Sequence, residues 1–268
     1  MRTENELRLA VLIDADNVPR KSVKAVMEEI AVYGNATIKR IYGDWTTPNL
    51  GGWKAALLEN ALTPIQQYGY TTGKNSTDSA MIIDAMDVLY SGQVDGFCLV
   101  SSDSDFTRLA IRLREAGMKV IGLGEKKTPH PFIAACDRFI YIEVITKKYA
   151  PPPPKKKPPE KPAAAPEQPP ETPAPPEQSG RPRPRAEISQ DVIELLSQTI
   201  DDVCDDEGWA YLGEVGSLLQ KKRPDFDSRN YGFKKLTSLL ESCEFFELDF
   251  RQNVPPGNGK LIYIRNKK

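Results

Sequence analysis

Apolar and polar residues alternate along this chain in blocks, and the rhythm of the blocks changes twice. Residues 9–13 form an unbroken apolar run, the pattern of a strand buried on both faces. After Pro19, which suits the first position of a helix, Val23, Val26, Met27 and Ile30 recur at helical spacing. Residues 37–42 read as a second strand, 53–62 as a helix and 64–70 as a third strand. Thr77 is placed to cap a helix running to about Tyr90, with Met81, Ile82, Ala85, Met86 and Leu89 inward. A strand at 96–101 follows, then a helix at 106–115 stopped by Gly117, then strands at 119–123 and 139–142. Alternating strand and helix predict an α/β domain over residues 1–149, with a mostly parallel sheet between helices.

The rhythm stops at residue 150. Residues 150–185 hold 15 of the chain's 23 prolines and lack aromatic and β-branched apolar side chains. Such a stretch cannot form a core. Residues 150–186 therefore read as a solvated, semi-rigid polyproline spacer that keeps the two flanking domains near each other. Its PxxP patterns offer a secondary reading as a protein docking segment. Over residues 187–268 a third rhythm begins. Val192, Leu195, Leu196, Thr199 and Val203 line an amphipathic helix at 188–203, a second helix covers 211–220, and a third covers 228–242. Strands at 245–250 and 260–264 are joined by NVPPGNG. Three helices followed by a hairpin predict a small winged-helix α+β domain.

Composition narrows the chemistry. The formal net charge is −1, so no global basic field announces nucleic acid, although local patches remain possible carriers of affinity. Cys98, Cys136, Cys204 and Cys243 have no ligand-like spacing and read as buried or free thiols. The short, quickly charged start does not resemble a signal peptide, and no apolar stretch approaches a membrane span, so a cytoplasmic protein without membrane contact is expected. The single histidine, His130, excludes mechanisms needing two and weakens zinc-hydrolase and Ser-His-Asp readings. It reads as a loop or cap residue.

The informative chemistry lies where apolar runs end. AVLIDADN ends the first strand with Asp14 and Asp16; LVSSDSDF ends the fourth with Asp103 and Asp105. Asp78 opens the helix between them. In a parallel sheet these positions share the carboxyl-end rim, and the first and fourth strands are expected to be neighbours. Carboxylates suit a hard cation, Mg²⁺ or Mn²⁺, which activates water and offsets phosphodiester charge. Asp14, Asp78 and Asp103 are the leading metal-ligand candidates, followed by Asp16 and Asp105, with Asn17 and Ser101 as polar support. Asp84 and Asp87, on the Asp78 helix, read as solvated. The bland alternative is that a strand-ending Asp merely caps a turn or helix. A second alternative takes Asp14 as a nucleophile, because Asp14-Ala-Asp16 resembles the motif of haloacid-dehalogenase-like phosphatases; Val18 fits that motif only partly, and Lys74 or Lys119 would have to supply its lysine.

VLIDADNVP, NSTDSAMIIDAMDVL and LVSSDSDFTRLAIRLREAGMKVIGLG, in that order, resemble the NYN family of PIN-like nucleases, the LabA and DUF88 group. The resemblance covers about residues 7–146. It implies a three-layer, Rossmann-like PIN fold and metal-dependent RNA cleavage, with the family's acidic positions at Asp14, Asp78 and Asp103 and with Asp105 nearby. The segment GWAYLGEVGSLLQKKRPDFDSRNYGFKKLTSLLESCEFFEL resembles the OST-type helix-turn-helix, or LOTUS, domain, which implies RNA binding or protein docking. There Lys221, Lys222, Arg223, Arg229, Lys234 and Lys235 are expected to form one basic face for RNA phosphates. Tyr231 or Phe233 could stack on a base, or pack in the core. Together these features predict an RNA-directed, metal-dependent ribonuclease. The alternatives are a non-catalytic RNA-binding or regulatory adaptor and, further off, the Asp-nucleophile phosphatase.

Overall fold

A computed structural model of the chain describes residues 6–69, 76–148, 188–252 and 260–267. The expected spacer, the NVPPGNG connection, Tyr70 and Lys74 lie outside these residues. The first part builds a sheet from β1 (Arg8–Asp14), β2 (Asn35–Gly43), β3 (Thr63–Gln66), β4 (Gly96–Val100), β5 (Lys119–Gly124) and β6 (Arg138–Tyr141). All neighbours are parallel, and the spatial order is β3-β2-β1-β4-β5-β6. The order reverses between β1 and β4, the kind of switch point beyond whose carboxyl ends open α/β sheets bind their ligands.

The helices are α1 (Val23–Ile30), α2 (Lys54–Asn60), α3 (Ser76–Ser91), α4 (Thr107–Glu115), α5 (His130–Ala135) and α6 (Ile142–Lys148). Alternate residues of β1 feed opposite cores. Leu9, Val11 and Ile13 pack with Val23, Val26, Ile30, Trp53 and Ile145 from α1, α6 and the α2 entry. Ala10 and Leu12 pack with Met81, Ala85, Leu109, Leu113 and Phe132 from α3, α4 and α5. This is the parallel α/β arrangement expected from the alternation, in the three layers that the resemblance to PIN-like nucleases implies. Gly117 ends α4 with φ +80°, as its position foretold. Thr77 lies inside α3 rather than before it, because the helix begins at Ser76.

The second part contains α7 (Gln190–Asp201), β7 (Ala210–Tyr211), α8 (Leu212–Lys222), α9 (Leu236–Glu241), β8 (Phe246–Gln252) and β9 (Lys260–Asn266). Its antiparallel sheet, ordered β7-β9-β8, packs on the helices around Leu196, Val215, Leu219, Leu239 and Ile264. This is the small winged-helix α+β arrangement. The expected third helix is broken: a 3-10 turn at Ser228–Tyr231 ends at Gly232, whose φ of +85° forces the chain out of helix before α9 starts.

The two parts are docked along one edge of the parallel sheet. The Phe139 N–H of β6 donates to the Pro224 carbonyl at 2.9 Å, and the Tyr141 hydroxyl donates to Asp225 at 2.8 Å. Arg229 inserts between the parts. Its Nη1 and Nη2 donate to Glu29 of α1 at 3.0 and 2.7 Å, while Nε and Nη2 also engage Asp227. The Glu29 side chain is 2 % exposed, so this guanidinium neutralises a charge that has no access to water. Arg138 lies 3.6 Å from Asp227 and stacks 5.0 Å from the Tyr33 ring.

That docking corrects the single basic face expected across the second domain. Arg229 is spent on Glu29 and Asp227. Lys222 pairs with Asp202 and Arg223 with Asp225, on one side of the seam with Lys221. Lys234 and Lys235 are exposed on the other side. Tyr231 is half-buried against Phe226, and Phe233 is buried in the same core, so the packing alternative holds for Phe233.

Candidate metal centre

The site begins with register. Ile13 pairs with Val100, so the next residues, Asp14 and Ser101, leave adjacent strands side by side. The Ser101 hydroxyl donates to Asp14 Oδ2 at 2.8 Å, and both residues are buried. Asp14 Oδ2 also accepts from Asn17 Nδ2 at 2.8 Å, while Oδ1 accepts from the backbone N–H groups of Asp16 and Asn17 at 3.1 and 3.3 Å. Both oxygens are thus held by donors, and Asp14 ties the β1 turn to β4. Asn17 and Ser101 support it directly.

Ser101 has a second duty: its Oγ accepts from the Asp103 N–H at 3.1 Å. Asp103 in turn caps the 3-10 turn at Ser104–Phe106, accepting from the Asp105 N–H at 2.9 Å. This sequence of short-range bonds turns Asp103 and Asp105 toward the first turn of α3. Gly124 of β5 leaves room for the turn, since a Cβ there would stand 2.6 Å from the Ser101 carbonyl oxygen.

Asp78, Asp103 and Asp105 each bring a carboxylate oxygen within 4.8 Å of the others. Asp78 is buried, Asp103 half-buried and Asp105 exposed, so the group is open on one side. Burial, then the charges of Asp14, Asp103, Asp105 and Asp16, push the Asp78 carboxyl up to about 6. The four charges acting on it most are all negative. Asp16 stands beside the trio; burial and Asp14 raise its pKa, and a hydrogen bond with Thr77 of α3 opposes that rise.

The structure brings the candidate acids Asp14, Asp16, Asp78, Asp103 and Asp105 to one rim, but in unequal roles. Asp14 is the most deeply buried and the most fully bonded, whereas the oxygens that converge belong to Asp78, Asp103 and Asp105. Asp44, after β2, is a further rim acid that motif reading passed over. It is anchored by the Thr46 hydroxyl at 2.5 Å and Gln66 Nε2 at 2.9 Å, which with backbone donors hold it near pKa 2. Its signal was weaker than that of Asp14: an acid directly after a strand, but a strand whose apolar run Lys39 and Arg40 interrupt. Asp84 is not solvated as expected. Arg40 and the buried Tyr42 hydroxyl of β2 both donate to it, so it anchors α3 to the sheet. Asp87 is exposed. His130 opens the short α5 and stands exposed, away from the acids.

Asp78, Asp103 and Asp105, with no cation among the charges that act most on Asp78, form a hard-oxygen donor set, and that set fits Mg²⁺ or Mn²⁺ better than a soft metal. Among the described residues no helix is long and apolar enough to cross a membrane.

The NYN domain model matches residues 8–143, and the OST-HTH/LOTUS domain model matches residues 186–256. An uncharacterized protein of Methanocaldococcus jannaschii is 26 % identical over 127 residues, covering 46 % of this chain and 50 % of that protein. The chain therefore spans about half the length of that curated relative. Among solved structures, a protein of unknown function from Vibrio parahaemolyticus is 20 % identical with a TM-score of 0.46, covering 53 % of this chain and 96 % of that one. An uncharacterized protein from Nitrosomonas europaea is 33 % identical with a TM-score of 0.29, covering 35 % of this chain and 89 % of that one.

Proposed function

Because this chain belongs to the NYN domain family, within the PIN-like nuclease superfamily, and carries an OST-HTH/LOTUS domain behind it, we propose that it is a metal-dependent ribonuclease. The observation that carries the reading is the convergence of Asp78, Asp103 and Asp105 at the β1/β4 switch point, beside the bonded Asp14. Asp78, Asp103 and Asp105 would hold one or two Mg²⁺ or Mn²⁺ ions, with Asp14 and Asp16 completing the acidic wall. A bound ion of this kind makes water a stronger nucleophile and offsets charge on the phosphodiester. The protein's part is positional. Ser101 holds Asp14 and Asp103 in fixed relation, Asp14 orders the β1 turn, and Asp103 sets the turn that presents Asp105.

The phosphatase alternative loses ground at the same residue. A nucleophilic Asp needs an oxygen free to attack, and both Asp14 oxygens already accept hydrogen bonds. The test is incubation of purified protein with a labelled RNA in Mn²⁺ and in EDTA. Cleavage should require metal and disappear in an Asp78→Asn/Asp103→Asn double variant. Cleavage of equal rate in wild type and variant would assign it to a contaminant. No cleavage by wild type in Mn²⁺, with RNA binding retained, would leave the adaptor reading in possession.

A further inference from the structure

The seam between the two domains carries a cleft of roughly 1080 Å³ that the acidic rim does not account for. Six cationic side chains line it, against two carboxylates: Lys126, Arg138 and Lys147 from the first domain, and Arg229, Lys234 and Lys235 from the second. In a chain whose formal net charge is −1, this is a local surplus of four. The two carboxylates, Glu29 and Asp227, are already held by Arg229 and Arg138. The lysines are different. Lys126, Lys147, Lys234 and Lys235 are exposed, and among the described residues none has an ion pair.

The opposite side of the seam offers a contrast. A cavity of about 520 Å³ is also rich in cations there, but Lys222, Arg223 and Arg114 pair with Asp202, Asp225 and Asp137. Of its five cations only Lys119 and Lys221 remain without an ion pair among the described residues, against four lysines in the larger cleft, so the lysine cleft is the better anion site. The cleft also has a direction. Lys126 follows β5, the neighbour of β4, and the preceding Glu125 N–H donates to Ser102 Oγ at 2.8 Å. Ser102 immediately precedes Asp103. One end of the cleft therefore lies on the rim that carries the converging acids.

We infer that this two-domain cleft is a track for the phosphate backbone of RNA, with Lys126 and Lys147 contributing one wall and Lys234 and Lys235 the other. The inference rests on the reading of RNA as substrate and adds where the strand lies. The Arg229 clasp fixes the spacing of the walls, so neither domain alone supplies the track. Contacts of this kind neutralise phosphates and release counterions, giving salt-sensitive affinity with little base preference.

The test uses the full chain in EDTA, a fluorescein-labelled 20-nucleotide oligouridylate, and anisotropy at several salt concentrations. Lys126→Glu/Lys147→Glu and Lys234→Glu/Lys235→Glu should each weaken binding roughly tenfold or more and flatten the log–log salt slope by about 1.4. Lys119→Glu/Lys267→Glu makes the same charge change away from the cleft and should cost less than about threefold. Corresponding Lys→Gln pairs, checked by melting, guard against misfolding and should show the same ranking. Equal losses in all three pairs, or unchanged affinity in the Lys126/Lys147 pair, would overturn the track. Equal affinity for polyglutamate of matched length would overturn RNA as its occupant. No salt-sensitive binding by wild type would overturn both the track and RNA as substrate. Absent cleavage with the predicted split between lysine pairs would sink the catalytic reading alone.

Discussion

Asp78 is held at a cost, and Asp78→Asn should reveal it. Its carboxyl rises from the ordinary 3.8 to about 6, first through burial and then through its acidic neighbours. A rise of that size corresponds to about 3 kcal/mol at full strength. Asp105 is exposed and Asp103 only half-buried, so solvent screens the cluster and ~1–2 kcal/mol is a better expectation. The sign follows from proton counting. Between pH 3.8 and about 6 the folded protein holds a proton on Asp78 that the unfolded chain has released, so this group's contribution falls as pH rises. The penalty is absent below pH 3.8 and complete above about 6. Asparagine keeps the shape and removes the charge. Without metal, the variant should melt higher than wild type at pH 7.5, by several degrees for a protein of this size, and the gap should close near pH 4. Saturating Mn²⁺ should reverse the order, because an ion at about a hundred times its Kd stabilises the wild type by about 2.7 kcal/mol. Differential scanning fluorimetry from pH 4 to 8, with Mn²⁺ or EDTA, reads all of this. A variant that melts below wild type at pH 7.5 in EDTA, or gains as much from Mn²⁺, would refute the reasoning.

Three further outcomes follow from the packing. Ser101→Ala removes a buried donor to Asp14 and an acceptor from the Asp103 N–H; it should cost about 1.5–3 kcal/mol by urea unfolding and depress Mn²⁺ affinity measured by calorimetry. Arg229→Ala leaves Glu29 and Asp227 without their shared guanidinium, so urea unfolding should show a loss of about 3–5 kcal/mol; Glu29→Gln added to it should recover part of that loss. Gly124→Ala would place a Cβ 2.6 Å from the Ser101 carbonyl and 2.7 Å from Thr128 Oγ1, and a cost of about 1–3 kcal/mol should appear in the same assay. An unchanged midpoint in any of the three would show that the named contact is not formed in solution.

Much of the fold was legible because long periodic segments dominate it. The apolar run of β1 and the helical spacing of Met81 and Ala85 in α3 need no tertiary information. The acidic rim was visible because strand-ending acids share a rim whenever strands run parallel. What escaped was short or remote. The six-residue α5 and seven-residue α6 give too few turns for a period to emerge, and β7 has only two residues. The break at Gly232 was hidden by apolar spacing that continued across it. Arg229 was grouped with the basic residues expected to face RNA; its partner Glu29 lies 200 positions away and is found only by docking the domains. Asp84 was misplaced for the same reason, since its partners Arg40 and Tyr42 come from β2. Within the site, pattern ranked Asp14 with Asp78 and Asp103 and put Asp105 behind them, while hydrogen-bond geometry assigns both Asp14 oxygens to the scaffold and leaves the convergence to Asp78, Asp103 and Asp105.

The bond from Phe139 to Pro224 has a meaning beyond attachment. β6 is the outermost strand of its sheet, and an outermost strand offers its unpaired amides to any passing chain. In this protein the second domain stands over that border and takes up one of those amides. The first domain expressed alone would present β6 bare, and with it a surface suited to joining sheets end on end. The C-terminal domain thereby covers part of the border along which one sheet could pair with another.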